Sequence, residues 1–139
     1  MRYILDTKNL TVSYTTTKAP KIDGVFLHNI KNEILGKSYD LNIYFVGEKM
    51  IKSVNQKYRK KDYVTDILSF PFLDDNFGEI YICLKKVEQK AKLFNTTKES
   101  YLNYLFVHGM IHLLGLDHGE PMDKLEKKYT KKLNIFYPY

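Results

Sequence analysis

Positions 108–118 of this sequence read HGMIHLLGLDH and contain three of the four histidines in the chain. In a helix, His108 and His112 are at i and i+4, so both imidazoles lie on one helical face. Gly115 stands where a helix ends on a residue that adopts the left-handed conformation freely. The chain can then turn and bring His118 back toward the other two rings. The pattern predicts a helix, a sharp bend and three converging nitrogens.

The three histidines have the residue type and the spacing of a metal site. Neutral imidazole is a good ligand for borderline divalent cations, and three protein ligands with a free fourth position are typical of catalytic zinc. We therefore predict one Zn²⁺ ion per chain on His108, His112 and His118, with other divalent metals as alternatives. A simpler interpretation is that two of these histidines belong to an amphipathic helix whose apolar residues lie between positions 102 and 113.

The residue after the first histidine argues against a peptidase. The spacing HxxxHxxGxxH is that of the metzincin peptidases, in which this residue is a glutamate that acts as general base. Here it is Gly109, and peptide hydrolysis needs a base that moves a proton from water to the amine leaving group. A glycine inside a helix costs about 1 kcal/mol relative to alanine, which indicates either close backbone packing or room for a substrate. Asp117, beside His118, is a candidate to orient an imidazole, to assist water or to cap the bend.

The remaining hydrophobic patterns predict an α+β fold. Strands are predicted at 3–5, 41–45, 67–72 and 79–83, and helices at 22–35, 48–59, 84–94, 97–114 and 123–133. Thr96 and Glu99 form a candidate capping box for the helix that carries His108. Pro71 cannot donate a hydrogen bond to a neighbouring strand, so its strand is expected at an edge of the sheet.

The composition predicts a single domain that spans residues 1–139. Its 44% hydrophobic residues are enough for a substantial core, and the length leaves no room for two catalytic domains. Cys83 is the only cysteine, which excludes an internal disulfide and fits a reducing compartment. It ends an apolar run, where a small buried side chain is expected. No apolar stretch approaches the roughly 20 residues of a membrane span, so a cytoplasmic protein is expected. The net charge of +6 favours polyanionic partners, although a solvated lysine-rich surface explains it equally well.

A second segment combines a basic cluster with the predicted edge strand. Residues 55–72 read NQKYRKKDYVTDILSFPF. Arg59 offers a planar set of five donors that suits a phosphate, and Lys57, Lys60 and Lys61 add positive potential beside it. A solvated run of charges is the alternative, in which case the polar residues that follow, up to position 66, are ordinary turn and cap residues.

Together these segments resemble the YbeY family, bacterial metal-dependent endoribonucleases that act as rRNA maturation factors. The resemblance rests on residues 108–118, on residues 55–72 and on FGEIYIC at 77–83. It implies a small mixed β-sheet of about four strands packed by about five helices, with a metal-binding helix like that of metallopeptidase domains. It also implies a zinc ion on the three histidines, and a role for Arg59 in catalysis or in binding RNA phosphate.

The function implied by this resemblance is single-strand-specific, zinc-dependent cleavage of RNA in rRNA processing, with 16S rRNA 3′-end maturation and ribosome quality control as its setting. The expected partners are single-stranded rRNA, the small ribosomal subunit and ribosomal proteins. The protein is expected to be a monomer that binds neither membranes nor DNA. A flexible strand also suits a cleft between an edge strand and basic side chains better than a duplex, whose bases are hidden. Two alternatives stay open: a degenerate metallohydrolase, and a non-catalytic metal-binding factor for ribosome assembly.

The chain departs from the family pattern in the second segment. Val64 stands where the family usually has proline, and FGEI replaces the commoner LGDI. These changes affect the rigidity of the loop more than its chemistry. The predicted helix at 123–133 lies beyond the resemblance and carries five lysines, which either contact rRNA or are simply solvated.

Overall fold

The computed structural model describes residues 1–139 and contains five strands and five α-helices. The strands are β1 (Arg2–Thr7), β2 (Leu10–Tyr14), β3 (Asp40–Phe45), β4 (Ile67–Phe72) and β5 (Phe77–Ile82). The helices are α1 (Gly24–Ile34), α2 (Glu48–Arg59), α3 (Leu84–Leu93), α4 (Lys98–Leu113) and α5 (Glu120–Lys132). The predicted α+β class is confirmed. None of these helices combines the length and the apolar character that crossing a membrane requires.

All five strands form one mixed sheet in the order β1-β2-β3-β5-β4. β1 pairs antiparallel with β2, and β4 pairs antiparallel with β5, while β3 runs parallel to both of its neighbours. The strand that contains Pro71 lies at an edge, as predicted. Between β4 and β5 the chain turns through Asn76, whose φ of 51° lies in the left-handed region that asparagine tolerates. This hairpin places the edge strand against α4.

The strand β2 is absent from the elements predicted by the sequence. Its residues Leu10 and Val12 are fully buried and pair with Leu41 and Ile43 of β3. The segment LTVSY alternates apolar with polar residues, which is the pattern of a half-buried strand. The expected number of about four strands is therefore one too few, although the sequence carries the signal for the fifth.

The two faces of the sheet are covered differently. One face packs against α1, α3, α4 and α5 and forms the main core, in which Leu41 and Ile80 are fully buried. On the other face, Ile51 of α2 packs with Leu68 and Cys83 in a much smaller cluster. The predicted burial of Cys83 is confirmed. Beyond this cluster, the second face carries partly buried side chains of β3, β4 and β5.

The helix α4 lies at the centre of the fold. Of its 16 residues, 10 are buried, because it contacts β4, α1, α3 and α5. It is therefore not the amphipathic helix of the simpler interpretation, since apolar residues surround it. Its N-cap is Thr97, whose Oγ1 accepts a hydrogen bond from the Ser100 amide at 3.1 Å. The predicted capping box of Thr96 and Glu99 is wrong by one residue.

Candidate active site

The three histidines converge at the C-terminal end of α4. His108 and His112 lie one turn apart on this helix, and Gly115 turns the chain with a φ of +92° before His118. One nitrogen of each ring lies within 4.8 Å of the others. The ring centres are 4.7 to 5.5 Å apart. The structure brings together the three side chains that the sequence pattern predicts to converge.

Hydrogen bonds orient two of the three rings. The Nδ1–H of His112 donates to the backbone carbonyl of Leu116 at 2.8 Å, because a carbonyl oxygen only accepts. The Nδ1 of His108 lies 3.1 Å from Oε2 of Glu126. In both rings Nδ1 is engaged, so Nε2 is the nitrogen that remains free to bind a metal ion. Proteins commonly orient metal-binding imidazoles in this way. The donor set fits a divalent cation such as zinc, and this group could hold a metal ion.

The surroundings of His112 favour the form that a metal binds. Burial, followed by the neighbouring ring of His108, lowers the pKa of His112 below its usual value. A metal ion requires the neutral imidazole. His112 therefore offers its Nε2 lone pair at neutral pH without first releasing a proton.

Glu126 is the main residue of this site that the sequence interpretation missed. It lies on α5, is only 3% exposed, and accepts a 2.6 Å hydrogen bond from the hydroxyl of Tyr104. Burial by itself raises the pKa of this carboxyl group, but the hydrogen bonds from His108 and Tyr104 outweigh burial, so the pKa lies below its usual value. A signal was present, because Met122, Glu126 and Thr130 share the buried face of α5. An acidic residue on a buried helix face indicates a polar partner inside the protein.

Arg59 lines the same cleft as two of the histidines. It is the last residue of α2, and a cleft of about 300 Å³ has Arg59, His108 and His118 in its walls. The side chain of Arg59 is exposed and forms no salt bridge, so its donors remain available to a phosphate. Only part of the basic segment faces this cleft: Lys61 also lines it, whereas Lys57 does not.

Buried polar side chains form another part of this cleft. Asp66 is 5% exposed, accepts a 3.0 Å hydrogen bond from the hydroxyl of Tyr101, and pairs with Lys90 at 3.3 Å. Asn55 is also buried and donates to the carbonyl oxygen of Tyr63 at 3.0 Å. This bond ties the loop after α2 to the helix. Asp66 is therefore a structural part of the cleft and not only the turn residue of the alternative interpretation.

Two loop residues differ from their expected roles. Asp117 is exposed and forms no hydrogen bond or salt bridge with a histidine, so nothing in the structure supports the idea that it orients an imidazole. Val64 stands where the resemblance leads one to expect proline, and it packs against the small cluster that contains Ile51 and Leu68. Apolar contact holds the loop at this point.

Gly109 lies against the sheet. A Cβ atom at this position would come within 2.8 Å of Ile67 Cδ1, 3.1 Å of Ser69 Oγ and 3.2 Å of Ile80 Cδ1. Close packing of α4 on β4 and β5 therefore explains the glycine, and the alternative of room for a substrate is wrong. The same contacts leave no space for the glutamate that metzincins have at this position.

Gly109→Glu should destabilise the protein by at least about 3 kcal/mol. The new carboxylate would lie among Ile67, Ser69 and Ile80 without a cationic partner, and an uncompensated buried charge is among the costliest changes in a core. Denaturant unfolding followed by circular dichroism measures the free energy of unfolding. Gly109→Ala is the matched control. Alanine gains about 1 kcal/mol in helix propensity over glycine, and this gain offsets the cost of contacts between the new Cβ atom and the flexible ends of side chains. A Gly109→Glu protein as stable as the Ala variant would contradict this packing argument.

The fold and the site together define a class of protein. It is a small α+β protein with a mixed sheet, a central helix that ends in a three-histidine group able to hold a metal ion, and an arginine in the same cleft. This combination matches the fold class that the sequence predicts.

Comparison with known proteins identifies the family. The family model described as Endoribonuclease YbeY matches residues 5–135. The chain is 40% identical over 116 residues to the Endoribonuclease YbeY of Finegoldia magna, with 75% of each chain covered. It is 39% identical over 107 residues to that of Thermotoga neapolitana, with 77% of this chain and 70% of the relative covered. The solution structure of TM1509 from Thermotoga maritima has a TM-score of 0.60 and 33% identity, covering 89% of this chain and 88% of that one.

The chain belongs to the YbeY family. The resemblance drawn from the sequence is confirmed. Its relatives are named endoribonucleases, which are hydrolases that act on RNA, so the predicted class of enzyme is also confirmed.

Proposed function

We propose that this protein is a single-strand-specific, zinc-dependent endoribonuclease of rRNA processing. In this proposal, residues 1–139 act as one cytoplasmic domain in 16S rRNA 3′-end maturation and ribosome quality control, together with the small ribosomal subunit. His108, His112 and His118 bind one metal ion, and Arg59 is catalytic. The observation that carries the proposal is that an arginine without a salt bridge lines the same cleft as the three-histidine group.

The histidines and their partners prepare a metal site with fixed ligands. A divalent ion bound there supplies Lewis acidity toward a phosphoryl oxygen. The Glu126 carboxylate and the Leu116 carbonyl hold the rings of His108 and His112 through Nδ1, which leaves their Nε2 atoms free for the ion. His118 follows the bend at Gly115 and is more exposed than the other two histidines.

Arg59 acts on the charge of the phosphate in this proposal. Its guanidinium donates two parallel hydrogen bonds to the non-bridging oxygens, and these bonds strengthen as negative charge accumulates during cleavage. A well-placed donor of this kind is worth about 3 kcal/mol in the transition state. Lys61 also lines the cleft and adds positive potential there.

The shape and the charge of the cleft favour a single strand of RNA. A volume of about 300 Å³ matches about one nucleotide and is too small for a duplex. The absence of a glutamate at position 109 suits this chemistry better than peptide hydrolysis, because a ribose leaving oxygen can be stabilised by a metal ion or protonated by solvent, whereas an amine leaving group needs a positioned proton donor.

The proposal is tested by cleavage of a single-stranded RNA that spans the 3′ end of 16S rRNA. The metal-loaded protein should cut this strand, EDTA should stop the reaction, and added Zn²⁺ should restore it, while a hairpin of the same sequence should resist. Binding of the strand without any cleavage, with or without Zn²⁺, would contradict the proposal in favour of a non-catalytic assembly factor.

Glu126→Gln should weaken metal binding by about 10- to 100-fold. The amide keeps an oxygen for the Tyr104 hydroxyl but loses the negative charge beside His108, so the imidazole becomes a poorer and less fixed ligand. Competition with a chromophoric chelator measures the affinity for Zn²⁺. Glu120→Gln, at the exposed start of α5, is the matched control. Equal affinities in the two variants would mean that Glu126 has no role in metal binding.

A further inference from the structure

The second face of the sheet carries a cluster of aromatic side chains, called here the aromatic platform. Five of its members come from the three neighbouring strands β3, β5 and β4, and one comes from the last turn of α2. They are Tyr44, Tyr58, Phe70, Phe72, Phe77 and Tyr81. The platform lies on the opposite side of the sheet from the main core.

Four of the six rings of the platform contact one another in a continuous row, and Phe72 and Phe77 form a separate stacked pair. Tyr44 and Tyr81 stack with their centroids 4.9 Å apart, and Phe70 meets Tyr81 edge-on at 5.9 Å. Tyr58 in turn meets Phe70 at 5.7 Å. The row therefore runs across three strands and ends on the helix that carries Arg59.

The outer members of the platform are too exposed to serve the core. Tyr58 is 63% exposed and Phe72 is 42% exposed, and with Phe70 and Tyr81 they line a groove of about 410 Å³. Cross-strand aromatic pairs do stabilise a sheet. That role does not explain Tyr58, which belongs to α2 and leaves most of its ring in water.

Charge and position connect the platform to the cleft. Lys57 holds its ammonium 5.2 Å from the centre of the Tyr58 ring. The next residue after Tyr58 is Arg59, which lines the cleft. The one acidic side chain in the groove, Glu79, accepts a 2.9 Å hydrogen bond from the hydroxyl of Tyr44. Two consecutive residues at the end of α2 therefore line the groove and the cleft, and Lys57 adds positive charge beside the first of them.

We propose that the aromatic platform binds unpaired bases of the RNA strand whose cleaved phosphate lies in the cleft. This inference rests on the proposed function, because it extends the same substrate beyond the catalytic groups. Aromatic side chains stack on bases of any sequence, and the lysine beside Tyr58 attracts the phosphates. An RNA strand fits this surface better than an apolar protein segment does, since Lys57 holds its positive charge beside the Tyr58 ring and the next residue, Arg59, lines the cleft.

The test compares the affinity of platform variants for an RNA that resists cleavage. The probe is a fluorescent 2′-O-methyl phosphorothioate strand of about 12 nucleotides, within the 4 to 16 that such surfaces cover. Metal-loaded Tyr58→Leu/Phe72→Leu protein should bind it at least about fivefold more weakly than wild type by fluorescence anisotropy. Leucine keeps apolar bulk but offers no π-face. Tyr58→Phe keeps the ring and should bind like wild type, as should Tyr3→Leu, which changes an exposed tyrosine on the opposite edge strand β1.

Two outcomes would overturn the inference: no binding of the probe by wild type, or equal affinity of wild type and the Tyr58→Leu/Phe72→Leu variant. Equal affinity would indicate that the platform binds a protein partner and not RNA. Cleavage is read separately, on a short RNA that does not reach the platform, and the double variant should cut it as wild type does. If neither wild type nor the variant cuts any RNA while binding of the probe still depends on the rings, the proposed function is contradicted and the inference about the platform is supported.

Discussion

His112→Ala should lose its metal and its RNA cleavage together. The substitution removes one of the three metal ligands. Losing a residue that only hydrogen-bonds to a ligand already lowers metal affinity by about 10- to 100-fold, so losing the ligand itself should lower it further. We therefore expect metal affinity to fall by more than about 100-fold, and cleavage of single-stranded RNA to fall to background. Metal analysis of the purified protein gives the number of ions per chain, and gel assays of the labelled strand give the rate.

The matched control for this experiment is His28→Ala. His28 is the only other histidine of the chain, lies on α1, and has Thr7 Oγ1 as its neighbour at 3.3 Å. It should keep wild-type metal content and activity. Circular dichroism of both variants checks that the fold survives. If His112→Ala cleaves as fast as wild type, either a contaminant is responsible or these histidines are not the site.

Arg59→Glu should abolish cleavage while the metal content stays near one ion per chain. Loss of a well-placed donor to a developing oxyanion costs about 100- to 1,000-fold in rate, and the reversed charge also repels the phosphate. The fold should be unaffected, because the side chain of Arg59 is exposed and forms no salt bridge. Single-turnover cleavage rates and metal analysis on the same preparation separate catalysis from metal binding.

Two further variants define what Arg59 contributes. Arg59→Lys keeps the charge but loses the planar pair of donors, so its rate should lie between those of wild type and Arg59→Glu. Arg2→Glu reverses the charge of the only other arginine, on the far edge strand, and should cleave like wild type. Loss of metal from Arg59→Glu would mean that Arg59 supports the site structurally and is not a catalytic group.

Much of the fold is visible in the sequence because the pattern of each element is local. The period of two in the segment at 41–45 and the helical spacing at 48–59 both correspond to observed elements. Pro71 also indicates its edge position by itself, since it lacks the amide that an inner strand needs. The fifth strand is a missed local signal and does not reflect a limit of the sequence.

The sequence by itself determines how the three histidines are grouped. An i, i+4 pair on a helix and a glycine bend need no information from distant residues, so His108, His112 and His118 converge through local geometry alone. The family resemblance and the basic character of the segment around Arg59 are also properties of the sequence.

Only the tertiary structure decided what surrounds these residues. Glu126 reaches His108 from another helix, 18 positions away, and Tyr101 reaches Asp66 across 35 positions. The aromatic platform likewise exists only because β3, β5 and β4 are neighbours in the sheet. The physical reason is that these contacts depend on how helices and strands pack against one another. Periodicity along the chain says which face of an element is buried but not which element will cover it.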